Sequence, residues 1–225
     1  MIDFNEGQLL LIDKPYGKTS FQAVKHVKYF GKVKKVGHAG TLDPLATGLL
    51  IICTGKWTKK ITDLQLQEKE YTGKFTLGAT RPSFDMETEI DQTFEINHIT
   101  DDHIRQASQQ FIGIIEQTPP IYSAVKIDGK RAYEHARKGE TVLIKSKNVE
   151  VMEFEITAIQ LPDITFRIVC SKGTYIRSIA NDLGKKLNNG AYLSELRRTR
   201  IGAYHVNDAL DFDGFKKLIT ENNLD

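Results

Sequence analysis

Met152-Glu153-Phe154-Glu155-Ile156-Thr157-Ala158, then Leu161-Pro162-Asp163, then Ile164-Thr165-Phe166-Arg167-Ile168-Val169-Cys170, reads as two strands joined by a turn. Met152, Phe154, Ile156 and Ala158 alternate with Glu153, Glu155 and Thr157, and Ile164, Phe166, Ile168 and Cys170 alternate on the return. A period of two sends one row to a core and the other to water, the mark of an antiparallel hairpin. Downstream, Ile176, Ile179, Ala180, Leu183 and Leu187 recur at helical spacing, with Thr174 as the expected N-cap. A last strand is expected over 200–205, before a short C-terminal helix. Upstream, 8–12 and 71–77 read as strands. Ser20 is the expected cap of a helix with Phe21, Val24 and Val27 on its apolar side and lysines elsewhere. Ile104, Ala107, Ser108 and Phe111 mark a helix over 101–112, ended by Pro119-Pro120. Residues 117–147 are basic, polar and punctuated by glycine, and read as a long excursion from the core. The fold class is α+β: a mixed, mostly antiparallel sheet flanked by helices, with an inserted basic excursion.

Composition excludes several classes. Of the 225 residues 40% are apolar and 27% charged, which is ordinary for a folded domain. No apolar run reaches the length of a membrane-spanning helix, and the first residues lack the basic-then-apolar order of a signal peptide. A cytoplasmic location without membrane contact is expected. Cys53 and Cys170 lie far apart inside apolar runs, so each is expected to act as a small buried hydrophobe. The histidines show no metal-ligand spacing, so no metal is expected. Net charge is only +2, yet the basic residues are clustered. Lys25, Lys28, Lys32, Lys34 and Lys35 fall between Lys25 and His38 without an acid; Lys126, Lys130, Arg131, Arg137 and Lys138 form a second group; Arg197, Arg198 and Arg200 form a third. Acids gather elsewhere, at Asp85, Glu87, Glu89, Asp91 and Glu95, then at Glu150, Glu153 and Glu155. That segregation fits a positive face for nucleic-acid phosphates.

Gly37-His38-Ala39-Gly40-Thr41-Leu42-Asp43-Pro44-Leu45-Ala46-Thr47-Gly48 surrounds one carboxylate with three glycines and a proline. Pro44 pushes Asp43 out of the helical region. The glycines permit tight turns and close approach of another backbone. The run Leu49-Leu50-Ile51-Ile52-Cys53 then reads as a buried strand. The loop lacks the patterns of a phosphate-binding P-loop, a dinucleotide fold or a nucleophile elbow. Read by residue type alone it is a turn presenting an aspartate.

The same residues resemble the signature of the TruB family, bacterial pseudouridine synthases that act on the T-arm of tRNA. Further motifs follow in that family's order. Lys14-Pro15-x-Gly17-x-Thr19-Ser20 resembles its opening motif, and Glu70-Tyr71 its tyrosine motif. Gln117-x-Pro119-Pro120-x-x-Ser123-Ala124-x-Lys126-x-x-Gly129-x-Arg131-x-Tyr133 is similar to its central signature. Gly173-Thr174-Tyr175-Ile176-Arg177-Ser178 and Leu196-Arg197-Arg198 complete the series. The resemblance spans nearly the whole chain.

The resemblance implies an isomerase that breaks the N-glycosidic bond of the T-loop uridine (position 55), rotates the uracil and rejoins it through carbon 5. No cofactor is implied. The reacting atoms are unreachable in the stack, so the nucleotide is flipped out. Asp43 matches the catalytic aspartate, whose attack on the uracil ring or on ribose carbon 1′ stays open. Tyr71 matches the active-site tyrosine, and Arg177 the arginine that pairs with the aspartate. By residue type alone Tyr71 is a core aromatic and Arg177 a solvated helix residue. His38 matches a residue placed against the RNA, Lys59 a lysine of the active cleft, Tyr175 a pocket-lining residue and Leu196 an apolar wall. Lys126 and Arg131 are the RNA-binding residues of the excursion. Family members commonly carry a C-terminal PUA domain; only about twenty residues follow Arg200-Ile201-Gly202, so 1–225 is expected to be one catalytic domain without it. Capture of the tRNA T-arm then falls to the excursion and the lysine-rich 25–35 segment, with no obligatory protein partner. The alternatives are a catalytically silent RNA-binding or chaperone protein on the same fold, and a synthase aimed at another RNA, as in relatives that work with guide RNAs. A metal-dependent phosphohydrolase is disfavoured by the missing carboxylate cluster.

Overall fold

The computed structural model describes residues 3–123, 125–127, 129–136, 140 and 142–222. The chain forms two units, Met1–Tyr71 with Leu196–Asp225, and Thr72–Glu195. The first holds β1 (Leu9–Lys14), α1 (Ser20–Phe30), β2 (Val36–His38), β3 (Thr47–Thr54), a 3-10 turn (Gly55–Lys60), α2 (Ile61–Leu66) and the start of β4 (Lys69–Leu77). The second continues through β5 (Ala79–Thr80), β6 (Gln92–Thr93), α3 (Asp101–Gln109), β7 (Gly113–Gln117), β8 (Lys126–Ile127), β9 (Lys130–Arg131), α4 (Ala132–Ala136), β10 (Lys147–Gln160), β11 (Asp163–Cys170) and α5 (Ile176–Lys186). Strand β12 (Ala191–Ile201) returns to the first unit, followed by β13 (Tyr204–His205) and α6 (Phe212–Asn222).

In the first unit β3 is the central strand. β1 lies antiparallel to it, with Leu9 opposite Cys53 and Lys14 opposite Gly48. On the other edge β12 runs parallel, Arg197 opposite Thr47 and Arg198 opposite Gly48, while β2 pairs antiparallel with the end of β3. Leu50 and Ile52 pack with Ile12, Val24, Val27 and Phe215 on one face. Leu49, Ile51 and Cys53 pack with Ala39, Leu64 and Ile201 on the other. Burial on both faces explains why 49–53 is continuously apolar instead of alternating. Each such side chain contributes roughly 1.5–3 kcal/mol over its exposed state.

Helix α1 is capped by Thr19, not Ser20. Gln22 N donates to Thr19 Oγ1 at 3.0 Å and Thr19 N donates to Gln22 Oε1 at 2.8 Å, a reciprocal capping box. Its buried side is Ser20, Ala23, Val24 and Val27. Phe21, expected on that side, is 62% exposed.

In the second unit β11 and β10 form the antiparallel hairpin read from the sequence, and β7 pairs with β10. Two register shifts, between Val151 and Glu153 and between Ile156 and Ala158, change the phase of β10. Val149, Val151, Phe154 and Ile156 therefore face the core, while Met152 and Ala158 are exposed. Phe75 stacks on Phe166 with ring centroids 4.1 Å apart, and Phe111 and Phe154 meet edge to face at 6.0 Å. Helix α3 stops at Gln109, before Phe111, and β7 intervenes ahead of Pro119-Pro120. Helix α5 is capped by the Tyr175 backbone; Thr174 Oγ1 turns instead to the carbonyl of Ser171 at 3.0 Å. The arrangement is the expected α+β class, a mixed and mostly antiparallel sheet with helices on it. Both cysteines are buried, and burial pushes the Cys53 thiol up to about 11. Among the described residues no helix is long and apolar enough to cross a membrane.

Candidate active site

Asp43 sits half-buried between β2 and β3. Residues 43–46 form a turn closed by Ala46 N donating to Asp43 O at 3.1 Å, with Pro44 at its second position, where proline is favoured. Gly48 re-enters the strand at φ +102°, and a Cβ there would lie 2.3 Å from Arg198 O. Only glycine fits this crossing of β3 and β12.

Three buried side chains hold the loop. Ser20 Oγ donates to Leu42 O at 3.0 Å and accepts from Leu42 N at 2.8 Å. Arg198, 1% exposed, donates through Nε to Leu49 O at 2.8 Å, through Nη2 to Gly40 O at 3.2 Å and through Nη1 to Thr41 O at 3.4 Å. Lys14, fully buried, donates from Nζ to Lys18 O at 2.6 Å, Pro15 O at 3.0 Å and Pro44 O at 3.4 Å. Gly17 N also donates to Pro44 O, at 2.9 Å. The opening motif Lys14-Pro15-x-Gly17-x-Thr19-Ser20 thus has a physical meaning: it is the floor of the Asp43 loop. Burial lowers the Lys14 pKa to about 8; the Asp43 charge opposes the shift and the Arg198 charge adds to it. The loop bearing the carboxylate lies in the field of two buried cations.

His38 ends strand β2, and its pKa is lowered chiefly by burial, with a smaller push from Arg198. Tyr71 is buried on β4, 9% exposed. Leu196 is half-buried on β12, and its carbonyl accepts from Thr47 Oγ1 at 3.5 Å. Lys59 is exposed on the 3-10 turn beside Lys60. The lysine bonded into the loop is Lys14. Arg197 grips Asp13 with two hydrogen bonds, at 3.0 and 2.7 Å.

In the second unit Arg177 is 4% exposed, not solvated. Its Nη1 donates to Tyr122 O at 3.1 Å and Ser83 O at 3.3 Å and lies 3.4 Å from Asp85 Oδ2. Tyr175 is held through its backbone: its N–H donates to Gln117 Oε1 at 2.8 Å, and Gln117 Nε2 donates to its carbonyl at 3.1 Å. Lys147 Nζ stands 4.8 Å from the Tyr175 ring centroid, and burial lowers its pKa. Ser178 Oγ donates to Thr118 O at 2.8 Å. The start of α5 is therefore fastened residue by residue to the segment that begins the central signature. Lys126 and Arg131 are register partners in the β8–β9 ladder. Ala124, Arg137 and Lys138 of the same signature and basic cluster lie outside the described residues.

Sequence reasoning missed four contributors besides Lys14, which it quoted only as a motif letter. Asp85 looked like one more member of an acidic stretch, but it is 5% exposed and accompanies Arg177. Ser20 was read as a cap, Arg198 as part of a basic cluster, and Gln117 as a motif letter without a task. For Ser20, Arg198 and Gln117 only motif membership hinted at more, and Asp85 lies in none of the quoted motifs.

Residues 28–176 match the TruB family pseudouridylate synthase N-terminal domain. The chain belongs to the TruB family. Residues 177–225 match the tRNA pseudouridylate synthase B C-terminal domain. The tRNA pseudouridine synthase B of Flavobacterium johnsoniae is 58% identical over 222 residues, covering 96% of this chain and 97% of that protein. Its counterpart from Phocaeicola vulgatus is 50% identical, covering 100% and 98%. Among solved structures, an H/ACA ribonucleoprotein bound to a substrate RNA containing 2′-deoxyuridine holds a similar chain, with TM-score 0.74, 26% identity and 99% of this chain covered. An archaeal box H/ACA complex gives TM-score 0.73, 25% identity and 98% coverage. This chain spans 57% of the length of those two chains.

Proposed function

We propose that the chain isomerises uridine to pseudouridine at position 55 in the T-loop of tRNA, in the cytoplasm and without a cofactor. The observation that carries this reading is a half-buried Asp43 on a loop clamped by Ser20, Lys14 and Arg198, in a TruB-family chain 58% identical to a tRNA pseudouridine synthase B. A rigid scaffold and a fixed positive field are what a carboxylate nucleophile needs to stay ionised and aimed.

In this mechanism the T-arm binds and the uridine leaves its stack. Asp43 attacks the ring or carbon 1′, the bond between uracil N1 and carbon 1′ breaks, and the base turns. Carbon 5 bonds to carbon 1′ and gives up its proton, N1 gains one, and the bond to Asp43 breaks to restore the free carboxylate, so no group enters or leaves overall. Tyr71 stacks on the base and serves the proton transfer. Arg177 is the arginine that orients the catalytic carboxylate. His38, Lys59, Tyr175, Leu196, Lys126 and Arg131 bind the RNA or line its pocket. The test is to incubate unmodified tRNA with the protein and map pseudouridine by chemical sequencing. Modification confined to the T-loop uridine supports the proposal; no product, or product elsewhere, overturns it.

A further inference from the structure

Helix α1 buries Ser20, Ala23, Val24 and Val27. Lys32 follows just past the C-cap Gly31, at φ +49°; on the helix's opposite side, at steps of four, seven and eight from Phe21, stand Phe21, Lys25, Lys28 and Tyr29. With 3.6 residues per turn these fall within an arc of about 100°. All three lysines are exposed, Phe21 is 62% exposed and Tyr29 77%. Lys25 Nζ stands 4.7 Å from the Phe21 ring centroid. A shallow cleft runs along the stripe, walled by Lys25, Lys28, Tyr29 and Lys32.

The charge pattern is not that of a helix stabilised for its own sake. Acids favour a helix's first turn, and lysines on a helix surface are usefully paired with acids three or four residues away. Helix α6 follows both habits, with Asp213 in its first turn and pairs Lys216–Asp213 at 3.0 Å and Lys217–Glu221 at 3.8 Å. Helix α1 follows neither: no acid occurs from Thr19 to Lys35. Two large rings left in water among unpaired-sign lysines suit a polyanion whose units also present flat faces. A nucleic acid is that polyanion: phosphates meet the lysines and bases stack on the rings.

We propose that the α1 stripe is an RNA-binding exosite that takes substrate-RNA phosphates along Lys25, Lys28 and Lys32 and stacks an unpaired base on Tyr29. The proposal rests on the reading of the chain as an RNA-modifying synthase. Its placement follows from Ser20, which ties the first turn of α1 to Leu42, the residue before Asp43. Eleven helical residues extend about 16 Å, so the stripe begins at the Asp43 loop and leads away over several nucleotides.

The experiment compares the full-length protein with Lys25→Gln/Lys28→Gln/Lys32→Gln and with Tyr29→Ala. Affinity for unmodified tRNA and for a T-arm hairpin is measured from low to high salt, together with single-turnover pseudouridine formation at saturating RNA. The triple variant is expected to bind at least about tenfold more weakly at physiological salt and to lose about two to three units of salt slope, at roughly 0.7–0.9 per phosphate contact. Tyr29→Ala is expected to bind about tenfold more weakly with the slope unchanged. Saturating RNA is expected to restore the wild-type rate in both. Wild-type affinity and slope in the triple variant overturn the exosite, including the case in which the stripe serves an acidic protein. A slope effect without a Tyr29 effect overturns the stacking. Stripe-dependent binding by a wild-type protein that forms no pseudouridine leaves the exosite standing and overturns the assigned reaction instead.

Discussion

Replacing Ser20 by alanine removes one oxygen atom and asks whether the Asp43 loop is held from beneath. Ser20 is 3% exposed and serves both backbone groups of Leu42, as donor at 3.0 Å and acceptor at 2.8 Å. Leu42 is itself 3% exposed, so water has little access to the groups left behind. Leaving a buried donor or acceptor unsatisfied costs about 1–3 kcal/mol, and two such groups give an expected stability loss of about 2–6 kcal/mol. A loss of 2 kcal/mol shifts the balance between held and displaced loop by roughly 30-fold. A carboxylate misplaced by about 1 Å costs on the order of a hundredfold in rate. Ser20→Ala is therefore expected to lower the single-turnover rate by roughly tenfold to a hundredfold, while RNA affinity changes less than about twofold. Urea denaturation gives the stability and filter binding the affinity. Loss of stability with an unchanged rate refutes the reasoning, because Lys14 and Arg198 then position the loop without help. A lower rate with unchanged stability also refutes it, since the lost hydrogen bonds were the stated cause.

Asp43→Asn is expected to fall below about one per cent of wild-type turnover, a barrier increase of roughly 2.7 kcal/mol, with tRNA binding retained because phosphate contacts carry the affinity; more residual turnover removes Asp43 from the chemistry. Arg177→Lys should lose about tenfold or more in rate, since lysine cannot serve Ser83 O, Tyr122 O and Asp85 from one planar group; a wild-type single-turnover rate excludes that role. Lys14 has a folded pKa near 8 against an ordinary 10.5, so the native state binds fewer protons than the unfolded chain between those values, and stability from this group rises with pH across that window. Lys14→Met should lack that rise, its stability-against-pH slope being lower by up to about 1.4 kcal/mol per pH unit there, and superimposable slopes contradict the shift. Gly48→Ala places a Cβ 2.3 Å from Arg198 O at a φ of +102° and should cost about 3 kcal/mol or more, lowering Tm by roughly 10 °C; an unchanged melting curve shows that β3 and β12 separate easily.

Much of the fold was legible because periodicity reports burial directly. The 152–170 hairpin, the α5 stripe and the 49–53 strand all follow from which positions are apolar. What was missed has local causes. A bulge adds a residue without changing composition, so Met152 and Ala158 looked inward when they face out. Strand β7 was passed over because Ile114, at 75% exposure, breaks the expected link between apolar and buried. Strand β12 begins nine residues before the expected strand because Arg197, Arg198 and Arg200 read as surface charge. The site was legible only through its motifs. A buried arginine bonded to three carbonyls has the same letter as a solvated one. A serine that ties a loop to a helix start has the same letter as a helix cap.

The clamp on the Asp43 loop joins distant parts of the chain. Leu49 and Arg198 are 149 positions apart, and Ser20 reaches the loop across 22. Contacts of such separation form slowly and late, since loop closure precedes any gain. On a ribosome moving at about 5–20 residues per second, the loop is made on the order of ten seconds before its arginine exists. A nascent chain can carry every residue up to Tyr71 and still lack a loop clamped at Gly40, Thr41 and Leu49. Competence to act on RNA thus arrives with the penultimate strand of the chain, and a half-made polypeptide is kept from reacting by topology alone.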